Sequence, residues 1–97
     1  MELNPRYQAI LVVKEALDEK KIPHEITRKI DGWKIAYPNE TYCIFYVIEH
    51  RYSYGSDKDL MEAWGEGFDD VIGCLDVETV LQMFEKIHKE KGNRKNG

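Results

Sequence analysis

A chain of 97 residues suffices for one hydrophobic core but not for two. Its 42% hydrophobic and 33% charged content suits a soluble globular chain, and the longest unbroken apolar run, Ala9 to Val13, is far too short for a membrane span. The formal net charge of −4 is unevenly spread: residues 1–56 are neutral overall, 57–78 carry −7 and 79–97 carry +3. A negative chain with scattered bases does not suit direct nucleic-acid binding, because affinity there rests on neutralising phosphates. Met1 to Arg6 lacks the basic and apolar regions of an export signal, so the expected location is the cytoplasm. Cys43 and Cys74 have no CxxC spacing and are expected as reduced, buried small hydrophobes.

Asn4-Pro5 forms a helix start, with Asn4 as cap and Pro5 in the first turn. Tyr7, Ile10, Leu11, Val13 and Leu17 follow at near-helical spacing, and Pro23 forbids continuation, so a helix is expected over 5–21. Ile26 and Ile30 alternate with polar residues, and so do Trp33, Ile35 and Tyr37. Asp31-Gly32 between them reads as a two-residue hairpin turn. Pro38-Asn39-Glu40 supplies a second turn. Thr41 to Glu49 is the strongest strand, with Tyr46 and Ile48 on one face and Phe45 and Val47 on the other. Leu60 to Trp64 is too short for periodicity to separate a strand from a short helix, with the strand favoured, and 66–75, punctuated by Gly67 and Gly73, reads as mostly irregular. Asp76 caps a last helix over 77–90, whose stripe runs through Val77, Val80, Leu81, Phe84 and Ile87 and ends at Gly92. The expected architecture is an α+β domain over 1–92: an N-terminal helix, a three- to four-stranded antiparallel meander sheet and a C-terminal helix. Both helices lie on one sheet face, and 93–97 form a flexible basic tail.

The most informative segment runs from Asp57 to Glu78. It holds eight carboxylates against one lysine, together with Met61, Trp64, Phe68, Val71, Ile72 and Leu75. Its plain reading is a solubilising surface. Its functional reading is a negative face with aromatic anchors, made of Asp57, Asp59, Glu62, Trp64, Glu66, Asp69 and Asp70 with Tyr52 and Tyr54 from the preceding loop. Such a face suits a protein partner, including a basic one that normally holds nucleic acid.

Catalytic readings find less support. Cys43 and His50 lie seven apart on one extended stretch, so a regular strand puts them on opposite faces. Glu49, His50, Asp57, Asp59 and Glu62 could surround a divalent ion or a hydrolytic centre, but match no ligand spacing such as the calcium loop; solvated charges with a surface His50 are the plain reading. Tyr52-Ser53-Tyr54-Gly55 lacks the elements of a phosphate loop or a nucleophile elbow, and reads as a hairpin loop packing its rings on the sheet edge. His24 and His88 read as structural. No catalytic residue, metal or cofactor is therefore assigned.

Glu49-His50-Arg51-Tyr52-Ser53-Tyr54-Gly55 leads into Asp59-Leu60-Met61-Glu62-Ala63-Trp64-Gly65, and Asp70-Val71-Ile72-Gly73-Cys74-Leu75 precedes the last helix. This order resembles small uncharacterised proteins encoded by phages and prophages of Gram-positive bacteria, with their Ser-Tyr-Gly loop, Leu-x-Glu strand and Val-x-Gly-x-Leu stretch. The resemblance spans about residues 41–90. It departs at Asp76-Val77-Glu78-Thr79, where those proteins carry Thr-x-Glu-Glu, and at Cys74, where an aromatic is usual. It implies a non-enzymatic accessory protein acting in a bacterial host cell, brings no catalytic residues, and favours a strand at 60–64. Two alternatives stand beside it: an enzyme built on His50 with its nearby carboxylates, and a homo-oligomer that buries Phe45 and Val47 against a second copy.

Overall fold

The structure is a computed structural model that describes the backbone of residues 7–95 and the side chains of 7–91. The order is α1 (Ala9–Lys20), β1 (Glu25–Lys29), β2 (Gly32–Tyr37), β3 (Phe45–Glu49), a 3-10 turn (Ser56–Lys58), β4 (Met61–Gly65), β5 (Ile72–Leu75) and α2 (Val77–Lys95). The strands form one antiparallel meander in sequence order, so the fold is α+β with five strands rather than three or four. The additional strand, β5, lies in the stretch read as irregular. A bulge shifts its pairing between Met61↔Leu75 and Ala63↔Ile72, and Cys74 takes a φ of 57°, which destroys the period-two signal.

Register decides which residues enter the core. Ile35, Val47 and Ala63 stand in one cross-strand row, and Tyr37, Phe45 and Gly65 in the next. These side chains meet Ile10, Val13 and Leu17 of α1 and Val80 and Phe84 of α2, so both helices cover the same sheet face. Phe84 packs edge-on against Phe45 at 4.9 Å and against Tyr37 at 6.3 Å. Such aromatic pairs contribute about 0.5–1.5 kcal/mol each beyond their burial. Gly65 leaves room for this packing, because a Cβ there would lie 3.0 Å from Phe45 Cδ1. Phe45 and Val47 are fully buried beneath the helices. They are therefore not a face offered to a second copy, because the alternation along β3 turns them inward.

The helix boundaries differ from expectation at both ends. α1 begins at Ala9 because Tyr7 holds a φ of 64°, outside the helical range. Asn4 and Pro5 lie outside the described residues. The start is capped instead from the sheet: the Ile10 N–H donates to Glu49 Oε1 at 3.0 Å. α1 ends where Lys21 turns left-handed and the Ile22 N–H returns to the Leu17 carbonyl at 3.0 Å. At α2 the Thr79 N–H donates to Asp76 Oδ1 at 2.9 Å, the cap expected of Asp76. α2 then continues through Gly92 to Lys95 rather than stopping at Gly92.

The first hairpin is shifted by one residue. Lys29 pairs with Gly32, which leaves Ile30 and Asp31 as the turn, with Ile30 at φ 57°. Gly32 belongs to β2 and serves close approach: a Cβ there would fall 1.8 Å from the Glu49 carbonyl oxygen. Gly32→Ala is thus expected to force β2 and β3 apart and cost about 2 kcal/mol or more, read as a lower urea midpoint.

Glu49 itself is fully buried, and its Oε2 has no hydrogen-bond partner. Burial raises its pKa above the ordinary carboxylate value, the Ile10 N–H opposes that shift, and the charge of Asp59 adds to it. The native state therefore binds more protons than the unfolded chain above the ordinary carboxylate range. Its stability falls as pH rises through that window. Glu49→Gln, a neutral isostere that still accepts from Ile10, is expected to flatten this fall and to exceed the parent in stability at pH 8. Urea unfolding across pH 4–8 checks this; parallel curves for the two proteins would contradict it.

Candidate functional site

The second face of the sheet carries the residues of opposite parity. Lys34, Tyr46, Ile48, Glu62 and Trp64 lie there, paired through Lys34↔Ile48, Tyr46↔Trp64 and Ile48↔Glu62. No described helix packs on this face. Its centre is aromatic: the Tyr46 and Trp64 rings lie 5.9 Å apart at 32°, and Lys34 Nζ sits 4.8 Å over Tyr46. Ile48 and Ala36 are nonetheless buried on this face.

Two loops border the floor. The 38–44 loop is tied down by Glu40, which accepts from Lys34 Nζ and from Thr27 Oγ1, both at 3.3 Å. Its N–H donates to Glu25 Oε1 at 3.0 Å. This loop presents Tyr42, which is 73% exposed. The 50–56 loop closes the other side and presents Tyr52 and Tyr54 at 71% and 63% exposure. These rings face solvent rather than packing on the sheet edge. Only the stem of Tyr54 packs there, where a Cβ on Gly73 would meet Tyr54 Cβ at 2.3 Å.

His50 anchors the 50–56 loop and is 5% exposed, not a surface residue. Its Nδ1 accepts the Tyr52 N–H at 3.1 Å, its own N–H donates to Ser53 Oγ at 3.1 Å, and its carbonyl accepts from that hydroxyl at 2.9 Å. Burial lowers its pKa, with Lys29 acting the same way and Glu62 and Asp31 opposing. Glu62, also buried, accepts the Tyr54 N–H at 2.9 Å. Asp31 ties the neighbouring strand ends together, accepting from the Arg51 N–H, from Arg51 Nε and from Tyr7 Oη. Asp31 had no role in the sequence reading beyond its turn. Nothing in the local sequence pattern joins it to Arg51, 20 positions away.

The acidic segment divides by role. Asp57 and Asp59 are exposed at the start of β4, and Glu66, Asp69 and Asp70 are exposed beyond its end. The five residues of β4, which span about 15 Å, separate the two sets. Glu62 and Trp64 lie between them on the second sheet face. Asp76 and Glu78 belong to the start of α2. The carboxylates thus form two groups joined by a strand, not one continuous patch.

A groove of about 310 Å³ lies between α2 and the end of β4, floored by Ile44, Phe68, Met83 and Ile87, with Glu66 and Lys86 among its polar lining. The sequence reading missed it, because it arises from the approach of α2 to the β4–β5 loop.

Of the carboxylates grouped with His50 in the enzyme reading, Glu62 acts on the imidazole and Glu49 does not. Glu49 lies on the helix side of the sheet and His50 on the other, as strand alternation requires. Among the described residues no group of three His, Cys, Asp or Glu side chains could hold a metal. Cys43 is half-buried just before β3, and Cys74 is exposed on edge strand β5, so neither is the buried hydrophobe expected. His24 and His88 hold structural contacts, to the Ile22 carbonyl at 2.7 Å and to Tyr37 Oη at 2.8 Å. No described helix is long and apolar enough to cross a membrane. Comparison of the chain with family models, with curated proteins and with solved structures finds no match.

Proposed function

We propose that this chain is a non-enzymatic, phage-type accessory protein that binds a protein partner through the second sheet face and the acidic loops at the two ends of β4. The observation that carries this reading is the Tyr46–Trp64 pair, bordered by three tyrosines that are each more than 60% exposed. Tyrosine and tryptophan supply large contact area with few torsions to immobilise, and interface hot spots are enriched in them. Asp57 and Asp59 on one side and Glu66, Asp69 and Asp70 on the other add charge at the rim.

The partner is a basic protein of the bacterial host cytoplasm, of the kind whose arginines and lysines normally grip phosphates. Carboxylates satisfy the same donors. The separation of the two acidic groups exceeds the Debye length of about 8 Å at physiological salt, so each group needs its own cation and the matching basic surface is extended. Electrostatics then governs encounter and the aromatics govern residence.

The test uses tagged protein on lysate of a Gram-positive host, with three variants. One carries Asp57→Asn, Asp59→Asn, Glu66→Gln, Asp69→Asn and Asp70→Asn. A second carries Tyr52→Ser and Tyr54→Ser. A control carries Glu15→Gln and Glu85→Gln on the helices. A basic protein is expected to be retained by the parent and the control, and to bind about tenfold or more weakly to each of the other two. Equal retention by all four proteins, or retention of no basic protein, would contradict the reading.

A further inference from the structure

We infer that the loop presenting Tyr52 and Tyr54 is latched by neutral His50 and unlatched when that imidazole is protonated, which makes the proposed partner surface pH-gated. The importance of this latch for binding rests on the partner reading above; the latch itself does not.

The argument is one of donors and acceptors. His50 Nδ1 accepts the Tyr52 N–H at 3.1 Å, a bond that requires an unprotonated Nδ1 and so places the ring hydrogen on Nε2. A proton taken from solvent settles on Nδ1 and turns the acceptor into a donor facing another donor. That bond is lost. The imidazolium is then drawn to the Glu62 carboxylate, which currently accepts the Tyr54 N–H at 2.9 Å. A single protonation therefore competes for the hydrogen bonds made by the N–H groups of both tyrosines. The remaining ties run from the Ser53 N–H and hydroxyl to the His50 backbone, from the Ser56 hydroxyl to the Arg51 carbonyl at 3.3 Å, from the Ser56 N–H to the Ser53 carbonyl at 3.2 Å and from the Cys74 N–H to the Tyr54 carbonyl at 3.2 Å; none of them holds the Tyr52 or Tyr54 N–H.

The groups facing the ring from its surroundings are Glu62 on β4, Asp31 in the β1–β2 turn, Lys29 on β1 and the Tyr52 ring, which lies edge-on at 6.3 Å. Burial and Lys29 favour the neutral ring; Glu62 and Asp31 favour the cation, and the balance lies below the ordinary histidine value. A depressed native pKa means that the latch is complete above the ordinary histidine range and is lost as pH falls through the native value.

Nitrogen NMR of the imidazole, together with amide exchange at Tyr52 and Tyr54 over pH 4.5–8, tests this on the intact chain without any partner. At neutral pH the expected tautomer carries its hydrogen on Nε2. As His50 titrates, the Tyr52 amide should shift with the same midpoint, and its exchange relative to the intrinsic rate should rise about tenfold. His50→Asn, whose Oδ1 can accept in place of Nδ1 without titrating, should keep Tyr52 protected at every pH. An Nδ1–H tautomer, a Tyr52 amide indifferent to the His50 titration, or the same acid loosening in His50→Asn would each overturn the inference. Should His50→Asn not fold, the titration of the parent protein decides alone. Loss of partner capture with an intact latch would count against the partner reading only.

Discussion

The alternation of β3 is the constraint from which the rest of the molecule follows. Phe45, Val47 and Glu49 turn toward the helices, and Tyr46, Ile48 and His50 turn away. Both sets contain large apolar groups, so hydrophobicity alone would allow either orientation. The choice is made by the neighbours. Ile35 and Ala63 flank Val47 in the same row, while Lys34 and Glu62 flank Ile48 in the opposite one. Turning the whole sheet over by one residue of register would carry Lys34 and Glu62 under the helices without partners, at a cost of several kcal/mol.

The same alternation separates the two unusual carboxylates. Glu49 enters the core and serves as the cap that α1 lacks at its own first turn. Glu62 faces the other way and holds the 50–56 loop through the Tyr54 N–H. Each therefore fixes backbone at the same end of the sheet, one on the helix side and one on the tyrosine side. They differ in what is left over: Glu49 keeps an unpartnered buried oxygen, whereas Glu62 has the His50 imidazole nearby. Core organisation and the presentation of Tyr52 and Tyr54 are thus coupled through the end of β3, with Asp31 and Arg51 closing the arrangement on the hairpin side.

Much of this is legible in the residues. The α1 stripe, the presence of the first hairpin, the parity of β3 and the Asp76 cap follow from periodicity and turn chemistry, because each is local. What escaped is tertiary. β5 is four residues long with a bulge, so no alternating signal survives. α1 starts late because its cap comes from a residue 39 positions away. Gly32 looks like a turn glycine but is needed where another strand's carbonyl comes close. α2 passes through Gly92, where one unfavourable propensity does not stop an established helix. At the candidate site, Tyr52, Tyr54 and the carboxylates could be named from composition, yet the division of the acids into two groups depends on the span of β4. Tyr46, Lys34 and Tyr42 could not be joined to them without knowing which sheet face stays uncovered.

The central claim is that no described helix packs on the second face, so that Tyr46 and Trp64 are half-buried where Phe45 and Phe84 are fully buried, and a solvent paramagnetic relaxation experiment tests it most directly. With a neutral gadolinium chelate in solution, the Trp64 and Tyr46 ring protons should broaden strongly, while those of Phe45 and Phe84 should stay sharp. Protection of Trp64 and Tyr46 to the same degree as Phe45 would show that the second face is covered in solution, and would contradict the account.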